Sequence, residues 1–295
     1  MMIDDFSHWV RERQADVERA LERWVPEDSP AGLGAVMRYA VLDGGKRLRP
    51  LLVMAAAEAV SGDAASALRA AVAVELIHAY SLVHDDMPCM DNDVLRRGKP
   101  TVHVKYGEAR AMLAGDAMQA LAFEVLTPDE GMTPALMSTL VQLLARASGH
   151  AGMAGGQAID LASVGCQLDE AALRDMHRRK TGVLLQASVM MGAACGPADT
   201  AALAGLSEYG AAVGLAFQVV DDVLDVTQAS EVLGKTAGKD VDMNKPTYVS
   251  LLGLDAAQRY AHSLRDQAHA ALARSGLRQA AFLDCLADKI VERDN

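Results

Sequence analysis

The sequence predicts an all-α protein built as one large helical bundle, and three observations support this prediction. Alanine and leucine abound, Met reaches 15 and aromatic residues make up only 4%, a composition that favours helix over sheet. Apolar residues recur at helical spacing, and no alternating strand pattern of useful length appears. No Pro- or Ser-rich linker, low-complexity tract or solenoid repeat interrupts the chain, so residues 1–295 are predicted to form one domain.

The N-terminal third is predicted to contain four helices. The first, Asp4–Trp24, is amphipathic. The second, Gly32–Leu42, stops at a glycine pair typical of helix ends. The third begins at Pro50, because proline suits a first helical turn. A long, mostly apolar helix then runs from Ala64 to about His84.

The rest of the chain carries the same helical spacing. Further helices are predicted over residues 107–126, 134–149, 169–195, 200–226, 247–252, 255–275 and 279–292. Their wide apolar faces suggest helices buried on several sides, as in one large bundle.

The excess of acidic residues argues against some classes of binding partner. The formal net charge is −11, which argues against nucleic acid or an anionic membrane as the main partner. The four cysteines lie far apart without a CxxC pair, so reduced thiols in a cytoplasmic protein are expected. The charged N-terminus lacks the apolar core of a secretory signal. The longest uncharged apolar stretch, near Gly182–Cys195, is too short to cross a bilayer, so no membrane span is predicted.

The segment "SLVHDDMPCMDND" (Ser81–Asp93) puts four aspartates into nine positions directly after an apolar run. Asp85 and Asp86 end the long helix, Pro88 breaks or bends it, and Asp91 follows. Like charges this close call for a counter-charge. Carboxylates held on rigid helix ends are hard oxygen ligands that suit Mg²⁺.

A second acidic cluster, "DDVLD", closes another apolar helix. Asp221 and Asp225 are four residues apart and share a helix face, with Asp222 beside them and Gln218 one turn earlier. A solvated helix end is the weaker interpretation, because aspartate is favoured at helix N-termini and not in the last turns of a buried helix. Two such clusters indicate Mg²⁺ far more strongly than either cluster alone.

Cationic segments accompany both clusters. The stretch "GGKRLRP" sets Lys46, Arg47 and Arg49 at a glycine loop that opens a helix, a natural anion site. The other segments contribute Arg96 and Arg97, Lys180 with Thr181, and Lys235 with Lys239. Each segment alone could be ordinary surface charge, but their positions beside the acidic clusters indicate phosphate binding.

Three further polar residues lie in apolar surroundings. His78 is two helical turns before Asp85 on the same face, so a role in the core and a role at the cluster both stay open. Gln157 and Asp160, in "GGQAIDL", are expected to pack or to hydrogen-bond within the core.

Together these motifs resemble the trans-isoprenyl diphosphate synthases, the short-chain prenyltransferases. The resemblance covers nearly the whole chain, in the family's order, through "GGKRLRP", "HAYSLVHDDMPCMDNDVLRRGKPTVH", "LAGDAM", "GGQAIDL", "KTG", "FQVVDDVLD" and "GKD". Two extra residues in the first motif, Pro88 and Cys89, are similar to the bacterial type of farnesyl diphosphate synthase. The resemblance implies the isoprenoid synthase fold, an all-α bundle around a deep central cavity, and a homodimer.

The resemblance also implies site residues by position. Two aspartate groups would hold about three Mg²⁺ ions, or Mn²⁺ instead, on an allylic diphosphate; they are Asp85, Asp86 and Asp91, and Asp221, Asp222 and Asp225. Direct contacts to that diphosphate would come from Arg96, Lys180, Thr181, Gln218 and Lys235. A metal-free isopentenyl diphosphate site would comprise Lys46, Arg49, His78 and Arg97. The C-terminus "VERDN" is less basic than the tails of relatives and offers only Arg293, so the resemblance assigns it no role in closing the site.

The implied reaction is ionisation, condensation and elimination. The allylic C–O bond breaks, the double bond of isopentenyl diphosphate attacks the allylic cation, and a proton leaves, while Asp85, Asp86, Asp91, Asp221, Asp222, Lys180 and Arg96 serve catalysis. Tyr80 resembles the bulky stop of farnesyl-type enzymes, although Ser81 lies nearer the Asp85 face of a helix. The expected product is therefore (2E,6E)-farnesyl diphosphate (C15), formed from dimethylallyl or geranyl diphosphate.

Three alternatives stay open at this point. The product could be geranylgeranyl (C20) or geranyl (C10) diphosphate. A terpene cyclase would use one aspartate-rich motif, but typically with an Asn/Ser/Glu metal motif and without a second diphosphate site. A non-catalytic subunit of a heteromeric prenyl synthase would usually lack one cluster, and both are intact here.

Overall fold

The computed structural model describes residues 3–42, 44–165, 168–227 and 247–293, and almost all of its regular structure is helical. The first helices are α1 (Ile3–Trp24), α2 (Leu33–Val41), α3 (Leu48–Ala59), α4 (Ala64–Asp85), α5 (Val102–Tyr106), α6 (Glu108–Val125) and α7 (Pro134–Ser148). The later helices are α8 (Met153–Ala162), α9 (Glu170–His177), α10 (Val183–Ala194), α11 (Thr200–Thr227), α12 (Tyr248–Leu252), α13 (Leu254–Arg274) and α14 (Ala281–Val291). The prediction of an all-α fold is confirmed.

Local chemistry explains where several helices begin. The Asp63 carboxylate accepts a hydrogen bond of 2.7 Å from the Ser66 N–H at the start of α4, as an N-cap residue does. Thr133 caps α7 in the same way, next to a proline in its first turn. A reciprocal capping box between Thr247 and Ser250 opens α12.

Two helices form the centre of the bundle and end in the acidic clusters. Helix α4 packs against α3 and α6, while α11 packs against α10 and α13. The main apolar core surrounds α3, α4 and α10, and a smaller core lies between the C-terminal half of α11 and α13. Because α4 ends at Asp85 and α11 carries Asp221 near its end, the packing brings both clusters to the same cavity.

The same two helices are long and apolar enough to cross a membrane by composition alone. The sequence-based prediction of no membrane span rested on the stretch near Gly182–Cys195 and did not identify α4 or α11 as candidates. Within the fold, 72% of the apolar window of α4 and 61% of that of α11 are buried against other parts of the protein. This burial is what the central helices of a bundle require.

The structure corrects one long helix and adds elements that the periodicity did not indicate. The predicted helix over 169–195 is divided into α9, a five-residue π-helical segment (Arg178–Gly182) and α10. The unpredicted elements are α5, α8, a 3₁₀ turn (Pro30–Gly32) and a two-stranded ribbon of β1 (Leu95–Arg96) and β2 (Lys99–Pro100). The ribbon turns at Arg97 and Gly98, which both have positive φ, as a tight hairpin requires.

Candidate active site

A cavity of about 530 Å³ opens between α4, α8, the π segment and α11. Asp85 lines it from the end of α4 and Asp221 from α11, while Lys180 and Thr181 line it from the π segment. The apolar part of its wall includes Met153, Ala154, Ala158, Leu161 and Phe217. The cavity therefore combines charged side chains with an apolar wall.

The first acidic cluster is only partly directed at this cavity. Burial, together with the nearby Asp91 and Asp86, raises the pKa of Asp85 to about 6 against the opposing effect of Lys180. The chain then wraps over the end of α4, where the Asp91 N–H donates to the Asp85 carbonyl at 2.8 Å. A half-buried carboxylate with carboxylate neighbours is a natural position for a cation.

Asp86 has a protein partner instead. It is 2% exposed, and both of its oxygens accept from Arg96, with Nε–O distances of 3.0 and 2.8 Å and an Nη2–Oδ1 distance of 2.6 Å. Arg96 still lines the cavity. For Arg96 to contact an allylic diphosphate as predicted, its guanidinium must either bind Asp86 and the diphosphate together or release Asp86.

The second cluster divides in a similar way. Asp221 lines the cavity, whereas Asp222 is buried and accepts from Gln218 Nε2 at 3.0 Å and from the Tyr248 N–H at 2.7 Å. Asp225 is also buried. Within the described ranges, no group of three or more His, Cys, Asp or Glu side chains is placed to hold a metal ion. Of the six predicted carboxylate ligands, Asp85 and Asp221 line the cavity, and the described residues form no preassembled metal site.

Gln218 connects the π segment to this cluster. Its Oε1 accepts from Thr181 Oγ1 at 3.1 Å, while its amide nitrogen donates to Asp222. Sequence reasoning predicted that Gln218 and Thr181 contact substrate. The structure places Thr181 on the cavity wall, whereas Gln218 is not part of the cavity lining and joins Thr181 to Asp222, with each end of its amide in use.

Lys180 is held by a buried anion. Its Nζ lies 2.5 Å from Asp160 Oδ2, and Asp160 is 5% exposed. The prediction that Asp160 hydrogen-bonds in the core is confirmed, and its partner is a candidate catalytic cation. Gln157, one turn earlier on α8, also lines the cavity, and neither its Nε2 nor its Oε1 has a hydrogen-bond partner.

A second cavity of about 390 Å³ adjoins the first and is rich in cations. Its lining includes Lys46, Arg49, His78, Arg97, Phe217 and Arg293. Burial lowers the pKa of Arg49, and burial followed by Arg293 lowers that of Lys46. Burial, then Arg49 and Arg97, lowers the pKa of His78 well below its usual value, so the imidazole is neutral. The cationic lining is suited to an anion, as predicted.

Arg47 also lines this cavity, but its guanidinium is paired with carboxylates, which corrects the sequence-based interpretation of "GGKRLRP" as three anion-binding cations. Its φ is 48°, and its side chain turns into the core, where it is 3% exposed. There Nη1 donates to Glu75 and Nε to Glu18, each at 2.7 Å. A buried guanidinium needs paired carboxylates, and those two lie on α1 and α4.

The two residues predicted to govern product length both line the main cavity. Tyr80 is 9% exposed and meets the His84 ring edge-on at 5.7 Å between ring centres. Ser81 Oγ donates to the His78 carbonyl at 2.9 Å. Lys235, the remaining predicted substrate contact, lies outside the described residues.

Sequence reasoning gave no role at the site to two residues that the structure places there. The sequence predicts that Gln157 packs or hydrogen-bonds in the core, but it lines the cavity and neither of its amide atoms has a partner. Arg293 packs over the Phe217 ring, 4.0 Å from the ring centre, and hydrogen-bonds to Asp221. Nothing local in the sequence indicates this contact, because the two residues are 72 positions apart.

The donors present fit a divalent cation. Asp85 and Asp221 offer hard carboxylate oxygens on the cavity, and the neighbouring cations could hold diphosphate oxygens that complete a coordination shell. Such an arrangement would assemble only with substrate, which agrees with the absence of a preassembled site among the described residues.

Comparisons with known proteins place the chain among prenyl synthases. Residues 30–280 match the model of the polyprenyl synthetase family. A chloroplastic geranylgeranyl pyrophosphate synthase from Capsicum annuum is 45% identical over 99% of this chain and 79% of its own length. The solved FPP/GFPP synthase from Zymomonas mobilis is 42% identical over 98% of this chain and all of its own, with a TM-score of 0.87. A geranyltransferase from Helicobacter pylori, solved with magnesium and isoprenyl diphosphate, is 33% identical over 96% and 95% of the two chains, with a TM-score of 0.84.

Proposed function

The chain belongs to the polyprenyl synthetase family and is a trans-prenyltransferase, and we propose that it condenses isopentenyl diphosphate with allylic diphosphates up to geranylgeranyl diphosphate (C20). The observation that carries this proposal is the pair of adjoining cavities. One has carboxylates and Lys180 above a hydrocarbon-lined wall, and the other is lined by Lys46, Arg49 and Arg97. Two cavities of this kind suit two diphosphate substrates whose reacting carbons meet between them.

The protein's own groups have distinct tasks in this reaction. Lys180 and Arg96 neutralise charge on the allylic diphosphate as its C–O bond breaks. Lys46, Arg49 and Arg97 hold isopentenyl diphosphate so that its double bond attacks the allylic carbon. The resulting cation then gives a proton to the departing diphosphate, which leaves the new C–C bond and a double bond in the product. Apolar walls such as Leu161 and Phe217 keep water from the cation. Mg²⁺, when bound at Asp85 and Asp221, would supply further neutralisation of the leaving group.

Magnesium is part of the proposal. The Helicobacter pylori relative was solved with magnesium and isoprenyl diphosphate, and the carboxylates on this cavity fit the ion. We extend to this chain the expectation of about three ions, as well as use of Mn²⁺ as a substitute.

The comparisons do not confirm the C15 product length that was expected from the sequence. The Capsicum annuum relative is named a geranylgeranyl pyrophosphate synthase, which supports C20. Farnesyl diphosphate stays the second candidate, because Tyr80 projects a bulky ring into the cavity. The family match does not support the terpene cyclase alternative.

The test is to size the products. Purified protein would be incubated with Mg²⁺, isopentenyl diphosphate and one primer at a time: dimethylallyl, geranyl or farnesyl diphosphate. We expect geranylgeranyl diphosphate as the longest main product and turnover of farnesyl diphosphate as a primer. Accumulation of C15 without use of farnesyl diphosphate would favour the second candidate.

We also propose that two copies of the chain pair through the outer face of α5 and α6. Val104 on α5 and Met112 and Leu113 on the adjacent α6 are 50%, 40% and 56% exposed, and exposed large apolar side chains on neighbouring helices suit an interface. Light scattering should give a dimer mass, and Leu113→Glu should shift it to the monomer. Leu251→Glu, at a 41% exposed leucine on α12, is the matched control and should leave the mass unchanged.

A further inference from the structure

Arg293, just after α14, ends the described chain inside the active site. Its Nη2 donates to Asp221 Oδ1 and, at 2.9 Å, to the Phe217 carbonyl. Its guanidinium lies over the Phe217 ring, and its side chain is only 11% exposed. One arginine thus holds the second-cluster carboxylate that lines the main cavity.

Contacts from α13 hold α14 and the residue that follows it, next to Arg293 in the chain. His269 on α13 bridges Asp284 and Asp288 at 2.7 and 2.9 Å, and Arg265 lies 3.5 Å from Glu292. These contacts fasten the end of α14 to α13. The contact at Asp221 is therefore a built feature of the bundle.

Arg293 also lines the second cavity with Lys46, Arg49 and Arg97. Arg47 and Glu75 also line that cavity but are paired with each other, and Asp221 contributes negative charge that acts on Lys46 and on Arg49. A diphosphate bound there would bring several negative oxygens within reach of the same guanidinium. Arginine pairs with carboxylate and phosphate through the same planar fork.

Asp221 cannot give the same oxygen lone pairs to a guanidinium and to a divalent cation. A cation at Asp221 would also be repelled by an arginine that stays in place. We propose that Arg293 is a counter-ion switch: it holds Asp221 in the substrate-free protein and moves to the diphosphate in the second cavity when substrate binds, which releases Asp221 for Mg²⁺. This inference rests on the proposed function, and it adds a regulatory contact to that site.

The switch has a thermodynamic consequence that can be measured. Isopentenyl diphosphate would strengthen Mg²⁺ binding, and Mg²⁺ would strengthen isopentenyl diphosphate binding by the same factor, since coupling between two sites is reciprocal. Together with the apolar cavity, this coupling would hold back ionisation of the allylic substrate until its partner is present.

The experiment is calorimetric titration of Mg²⁺ into the full chain, with and without isopentenyl diphosphate alone, which has no allylic partner and does not react. Titration of Mg²⁺ into isopentenyl diphosphate provides the blank. We expect isopentenyl diphosphate to tighten Mg²⁺ binding to the wild-type protein by roughly 5- to 100-fold. In Arg293→Met, Mg²⁺ should bind more tightly without isopentenyl diphosphate, and the added effect of isopentenyl diphosphate should be lost.

Two further variants make the result decisive. Arg265→Met removes one long ion-pair contact of α14 but leaves the His269 bridge and the contact between Arg293 and Asp221 in place, so it should keep most of the wild-type coupling. Arg293→Lys keeps the charge but cannot reach both the Asp221 carboxylate and the Phe217 carbonyl in the same way, so it should shift Mg²⁺ affinity in the same direction by less. This variant replaces Arg293→Met if the methionine variant does not fold.

Equal Mg²⁺ affinity in wild type and both Arg293 variants, without isopentenyl diphosphate, would overturn the switch. The titration without isopentenyl diphosphate needs no turnover, so it tests the contact between Arg293 and Asp221 even if the protein fails to condense substrates. Failure of condensation would refute the proposed function separately.

Discussion

At the residue scale, Lys180 depends on Asp160 for its position on the cavity. The 2.5 Å contact between them is largely buried, and a buried ammonium group without its anion is displaced or deprotonated. We expect Asp160→Asn to lower kcat by roughly 10- to 100-fold, as loss of a supporting contact commonly does. Steady-state kinetics would measure this, with the melting temperature showing that the fold persists.

Asp175→Asn is the matched control for that variant. Asp175 pairs with Arg178 and Arg179 on the outer side of the same π segment, and exposed pairs contribute little. Its kcat should stay close to wild type. Equal kcat in wild type and Asp160→Asn would show that Asp160 does not position Lys180 for catalysis.

Tyr80 provides a residue-scale test of product length. Tyr80→Ala removes a buried ring from the cavity wall, and the space left should admit a longer hydrocarbon chain. We expect the product distribution to move towards longer chains by at least one C5 unit. Chromatography of dephosphorylated products would measure the shift, with Ser81→Ala as a control at the neighbouring cavity position. An unchanged distribution in Tyr80→Ala would rule out this ring as the length stop.

At the element scale, the π segment is held against α8 by close backbone contact. A Cβ on Gly156 would lie 2.1 Å from the Lys180 backbone nitrogen, which is closer than real Cβ atoms approach. Gly156→Ala must therefore move the segment or α8. We expect a loss of about 1–3 kcal/mol in the free energy of unfolding, measured by urea denaturation, and a large fall in kcat.

Gly182→Ala, at the end of the same segment, is the matched control. Its added Cβ would meet no atom closer than 3.8 Å, so stability and kcat should both stay near wild type. If the two variants behaved alike, the close approach of α8 to the π segment would not explain the position of Lys180.

The junction of α13 and α14 should respond to pH. Burial lowers the pKa of His269, but hydrogen bonds to Asp288 and Asp284 outweigh it and leave the pKa raised. A raised pKa means that this stabilisation is complete below the unfolded value of 6.5 and is lost as pH rises through the folded value. The wild-type protein should therefore have a higher melting temperature than His269→Gln at about pH 6, and this difference should disappear by about pH 9. A constant difference in melting temperature across that pH range would show that protonation of His269 does not stabilise the junction of α13 and α14.

At the scale of the whole molecule, the sequence predicted the features that local pattern determines. An apolar run followed by aspartates marked the ends of α4 and α11, and the bundle brings Asp85 and Asp221 to one cavity. The sequence could not indicate the π segment, because a single turn of π-helix barely disturbs helical periodicity. Nor could the sequence show that Arg47 and Arg49 have different partners, since the Glu75 partner of Arg47 lies 28 positions away.

Product length was beyond sequence reasoning for a related reason. It depends on the shape of a cavity built from α4, α8, the π segment and α11 together. Tyr80 is one part of that wall, so its identity alone favoured C15, whereas the Capsicum annuum relative is named a geranylgeranyl pyrophosphate synthase.

The central claim is that Asp85 and Asp221 jointly support Mg²⁺-dependent condensation of two diphosphates. The most direct measurement is diphosphate release and product formation by the full chain with isopentenyl and geranyl diphosphates, as Mg²⁺ is titrated from zero. We predict no condensation without Mg²⁺, robust condensation with it, and losses of about 100-fold or more in Asp85→Asn and in Asp221→Asn. Condensation that persists in a chelator, or that survives both substitutions, would contradict the account.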